Sequence, residues 1–114
     1  MEQELEKNFI NTFDMVQSHM HGIALDKGFW DLYRNPAECI ALMHSELSEA
    51  LEACRHGDPP DDKIPEFTGL EAELADCIIR IMDFAEKHNL RLPEAIVAKS
   101  NYNESRPYKH GKKF

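Results

Sequence analysis

Two acidic pairs set the terms on which this chain can fold. Glu46 and Glu49 lie in His-Ser-Glu-Leu-Ser-Glu-Ala (44–50), and Glu73 and Asp76 lie in Glu-Ala-Glu-Leu-Ala-Asp (71–76). A spacing of three places both side chains of a pair on one helical face, one turn apart. The segment between them, Gly-Asp-Pro-Pro-Asp-Asp-Lys-Ile-Pro-Glu-Phe (57–67), holds three prolines and three aspartates and cannot be a regular element. It predicts a polar loop that lets the second helix fold back on the first, so that four carboxylates converge. Like charges at helical spacing cost about a few tenths of a kcal/mol per pair, and a divalent cation among them removes that cost. Hard oxygen ligands of this kind suit Mg²⁺ or Mn²⁺.

The rest of the chain reads as helix. From Glu2 to about Leu25, apolar residues recur at steps of three and four through Leu5, Phe9, Phe13, Val16, Met20 and Ile23. Asn35-Pro36-Ala37-Glu38 has the form of a helix start, with Asn as N-cap and Pro at the first helical position. Ile40, Met43, Leu47, Ala50, Leu51 and Cys54 then form an apolar stripe with Glu46 and Glu49 on its flank, and Gly57 ends the helix. Thr68 with Glu71 opens a third helix to about His88, and Leu92-Pro93-Glu94 opens a fourth to about Asn103. The third helix is apolar over a wide arc, leaving Glu73, Asp76, Arg80 and Asp83 one polar strip, which predicts burial on more than one side. The expectation is a single all-α domain over residues 1–114, packed against a second copy, with an extended or loosely ordered tail from Arg106 to Phe114.

Charge is divided unevenly. Residues 1–98 carry eight Lys and Arg against twenty Asp and Glu, whereas residues 99–114 carry five against one. The acidic body argues against binding to a nucleic-acid polymer or an anionic membrane, which rests on many Lys and Arg contacts to phosphate. Cys39, Cys54 and Cys77 form no CxxC pair and are read as reduced, mostly buried thiols. The acidic start Met-Glu-Gln-Glu-Leu-Glu-Lys has no apolar core of a signal peptide, so a cytoplasmic protein is expected.

Glu46-x-x-Glu49, twenty-three intervening residues and Glu73-x-x-Asp76 resemble the signature of the MazG-like all-α nucleoside triphosphate pyrophosphohydrolases. Lys99-Ser-Asn-Tyr-Asn103 and Arg106-Pro-Tyr108-Lys-His110-Gly-Lys112 are similar to the C-terminal segment of small MazG-like proteins. The resemblance covers roughly residues 20–114. It implies a four-helix bundle assembled as a dimer or dimer of dimers, with Mg²⁺ held by Glu46, Glu49, Glu73 and Asp76. The implied reaction is hydrolysis of a (deoxy)nucleoside triphosphate to the monophosphate and pyrophosphate, a nucleotide house-cleaning role. By position, Lys99, Asn103, Arg106 and Tyr108 would hold the triphosphate, with Lys112 a further candidate. Glu46 or Glu49 would orient or deprotonate the attacking water.

Phe29, Trp30, Leu32 and Tyr33 make an aromatic cluster in a connecting stretch, and Trp30 is the candidate for stacking on a nucleobase. Its alternative is an ordinary core tryptophan. His44, beside the first acidic pair, is a candidate ligand contact, and Asp83 is read as solvated or as supporting the ligand carboxylates. A di-iron bundle would need Glu-x-x-His motifs, which both acidic helices lack. The rival from another class is a non-catalytic helical module that binds nucleotides or a protein.

Overall fold

The computed structural model describes residues 1–114 as four helices without a β-strand: α1 (Gln3–Asp26), α2 (Pro36–Arg55), α3 (Gly69–Lys87) and α4 (Leu92–Glu104). Local chemistry places the helix starts. The Asn35 side chain accepts the amide of Ala37, with Pro36 at the first helical position. Thr68 and Glu71 form a reciprocal capping box at the start of α3. The tail carries no regular helix: a single short turn at Tyr108–Gly111 has Lys109 and His110 at left-handed backbone angles.

The predicted hairpin is present. α2 and α3 pack along their lengths, α1 lies against α3, and α4 rests on α1. The loop between the acidic helices is tied down at its base: Asp61 donates its amide to the Phe67 carbonyl at 2.9 Å, Gly69 donates to the Pro59 carbonyl at 2.8 Å, and the Asp58 carboxylate accepts the Leu70 amide at 2.8 Å. Gly69 is needed for the close approach, since a β-carbon there would stand 3.1 Å from the Ala53 β-carbon.

Most of the buried apolar side chains are small, with Met82, Val97 and Pro93 beside them. Cys39, Ala50, Ala72, Cys77 and Ala85 are buried, whereas Leu47, Leu51, Leu74 and Ile78 face outward. Cys54 is exposed, so two of the three thiols are buried as expected and one is not. The chain exposes 8555 Å², against roughly 6,400 Å² for a compact monomer of 13.2 kDa. Its radius of gyration is 16.5 Å, against about 13 Å for a compact domain of this length. No helix is long and apolar enough to cross a membrane.

Candidate metal centre

The hairpin brings one acidic pair onto the other. Glu46 and Glu49 from α2 and Glu73 from α3 each offer a carboxylate oxygen, and the three oxygens lie within 4.8 Å of one another. Asp76 lines the same cleft of about 380 Å³, although it stands outside that closest group. Glu46 is buried, deeper than the flanking position its register suggested, Glu73 is half-buried and Glu49 is exposed. One wall is deep and one is open to solvent.

Electrostatics separates the carboxyls. Burial pushes the Glu73 carboxyl up to about 8, and the neighbouring oxygens of Glu46 and Glu49 add to the rise. Asp76 is also raised, first by burial and then by the charge of Glu46. Burial acts on Glu46 in the same direction, but the hydrogen bond from Arg80 and the contacts of Glu73 and Glu49 outweigh it, so its carboxyl is lowered. Arg80 Nε donates to Glu46 Oε1 at 2.8 Å. Glu73 Oε2 is buried and has no hydrogen-bond partner.

That orphaned oxygen, in a cage of three converging carboxylates, fits a hard divalent cation. A cation would satisfy the oxygen and bring the Glu73 carboxyl back into its charged form. Magnesium binding is therefore expected to expel the Glu73 proton and to strengthen by about tenfold per pH unit up to about pH 8, then level off. Titration calorimetry in buffers of different ionisation enthalpy reads this directly. Binding with no proton release at pH 7 would contradict it.

The other residues singled out in the sequence are distributed differently. Trp30 lies behind the cleft, in a recess with Arg34, Cys39, Met43, Arg80, Asp83 and Phe84, and it is Phe29 that lines the cleft itself. The Trp30 indole N–H donates to both Asp83 oxygens at 2.9 and 3.1 Å, and the Arg34 guanidinium carbon stands 4.8 Å from the ring centroid. A ring so engaged is a structural support and not a free stacking surface. Asp83 is correspondingly not a solvated group: it accepts from Trp30 and from His21 Nδ1 at 2.7 Å. His44 is exposed and lines no part of the cleft.

Lys99 and Asn103 lie on α4 beside a separate open cavity. The Lys99 Nζ and the Arg106 guanidinium both approach the Tyr102 ring, at 5.2 and 5.5 Å, and Tyr108 projects into solvent. Within one chain the structure therefore gathers the acidic quartet but leaves these basic-segment residues elsewhere. The cations that do line the cleft are Arg34, Lys63 and Arg80. Only Arg80 had a sequence signal, since it shares the polar strip of Glu73 and Asp76 on α3.

No family model, curated protein or solved structure matches this chain. The functional reading rests on the cleft.

Proposed function

We propose that the chain is a Mg²⁺-dependent nucleoside triphosphate pyrophosphohydrolase of the MazG-like kind, releasing pyrophosphate and a monophosphate. The observation that carries the reading is the convergence of Glu46, Glu49 and Glu73 within 4.8 Å on a hairpin whose fourth acid, Asp76, lines the same cleft. Mn²⁺ would satisfy the same ligands. Bound there, the metal would neutralise charge on the phosphate chain during attack by water. Glu46 is already committed to Arg80, whereas Glu49 is exposed at the open wall. Glu49 is therefore the carboxylate with a free oxygen to orient the water and accept its proton.

The outward apolar faces of α2 and α3 and the excess surface of the lone chain support a homodimer or larger homo-oligomer. The decisive assay mixes the protein with a panel of common and modified (deoxy)nucleoside triphosphates and Mg²⁺ and measures pyrophosphate. Release from at least one of them, abolished by a chelator, is expected. No release from any, with no metal-dependent change in melting temperature, would leave a non-catalytic binding module in its place.

A further inference from the structure

We infer that Arg34 and Lys63 grip the polyphosphate chain of the ligand in the acidic cleft, with Trp30 as the residue that positions Arg34. This rests on reading the cleft as a polyphosphate site, and it names the chain's own anion-binding groups there. Arg34 lies just ahead of α2 and lines both the cleft and the recess behind it. Its guanidinium stands over the Trp30 ring at 4.8 Å and takes part in no ion pair with a carboxylate. The indole holds the guanidinium by cation–π attraction without using its N–H donors, and a planar guanidinium with free donors suits phosphate oxygens. Trp30 is itself fixed. Its indole N–H is held by Asp83, which His21 holds from α1, so α1, the connecting loop and α3 together set where Arg34 stands.

Lys63 lines the same cleft from the loop between the acidic helices. The Asp61 carboxylate accepts the amides of Lys63 and Ile64 at 2.9 and 3.0 Å, which fixes the turn that presents it. The Lys63 ammonium has no carboxylate within ion-pair distance, although its charge acts on Asp76. Arg80 differs from both because its Nε already orders Glu46. Two cations with free donors, flanking carboxylates suited to a metal, recognise an anion rich in acceptor oxygens that carries or meets a divalent ion. Within one chain Lys99 and Arg106 lie outside this cleft, on or beside the face of α4.

The test is titration calorimetry of the full chain with inorganic tripolyphosphate in Mg²⁺. Arg34→Gln and Lys63→Gln are each expected to weaken binding on the order of tenfold or more, whereas Mg²⁺ binding without tripolyphosphate should not weaken, since neither residue is a metal ligand and each change removes a positive charge from the cleft. Arg34→Lys should recover only part of the loss, because it keeps the charge but not the fork. Trp30→Leu should weaken tripolyphosphate binding at unchanged Mg²⁺ affinity, and a melting curve establishes that it folds. If it does not fold, Arg34→Gln alone decides. Wild-type affinity in both Gln variants, or a larger loss in Lys99→Gln than in Arg34→Gln, overturns the assignment, as does a wild-type protein that binds Mg²⁺ but not tripolyphosphate. Tripolyphosphate binding that depends on Arg34, without pyrophosphate release from any nucleotide, supports the assignment and removes only the hydrolase reading.

Discussion

Glu73→Gln is expected to make the metal-free protein more stable at pH 8 while removing its response to Mg²⁺. The folded chain holds the Glu73 carboxyl up to about 8, against an ordinary value of 4.5. A group raised on folding contributes fully below its unfolded value, and the contribution is lost as pH climbs through the folded one. Metal-free wild type should therefore lose stability between about pH 4.5 and pH 8 and change little beyond. Gln resembles the protonated acid and does not titrate, so the variant should escape the loss. Its advantage at pH 8 should be on the order of a few kcal/mol, with each kcal/mol raising the melting temperature by roughly 4–8 °C in a domain of this size.

Added Mg²⁺ should reverse the ranking. Binding to the native state stabilises wild type by mass action, whereas the variant has lost a ligand. Residues that only support metal ligands cost about 10- to 100-fold when removed, so on the proposed function the loss of Glu73 as a ligand should lower pyrophosphate release by at least about a hundredfold. A variant with wild-type melting behaviour in both conditions would show that Glu73 neither carries the buried proton nor touches the ion. Stability gained where function is lost is the signature of a carboxylate kept for a ligand, not for the fold.

The elements legible in the sequence are those whose determinants are local. Asn35 with Pro36, and Thr68 with Glu71, act on amides within three residues of themselves, and the helices begin where those residues say. The approach of Glu46, Glu49 and Glu73 was legible too, because helical spacing and one proline-rich loop bring the two helices together, although Asp76 stands outside the closest group. Asp83 was not, since its partners Trp30 and His21 are 53 and 62 residues away in sequence. Arg34 and Lys63 sit outside any helix, where no periodicity marks the direction of a side chain. Nor could periodicity say which residues of the wide apolar arc of α3 face inward. On α3 the buried residues are Ala72, Cys77, Met82 and Ala85, whereas Leu74 and Ile78 are left about half exposed.

Those rejected side chains carry the second large effect. Leu47 and Leu51 on α2, and Leu74 and Ile78 on α3, are spaced one turn apart and lie 42 to 54 % exposed. Residues four apart share a helical face, so each pair is an apolar patch and not a scattered exposure. On the proposed assembly a second chain would cover part of the roughly 2,000 Å² of excess surface, which exceeds the roughly 800 Å² per partner of a standard interface. Sedimentation of wild type should report at least twice the 13.2 kDa chain mass. The double variants Leu47→Glu with Leu51→Glu, and Leu74→Glu with Ile78→Glu, should run as monomers. In a two-fold dimer each change counts twice, and four buried unpaired carboxylates would cost well over the roughly 4 kcal/mol that separates a dissociation constant from one a thousandfold weaker. Helix content should survive, because none of the four side chains belongs to the buried core of its own chain. A monomeric wild type would leave the apolar arcs without a partner of their own kind, whereas wild-type assembly in both variants would place the interface on another face.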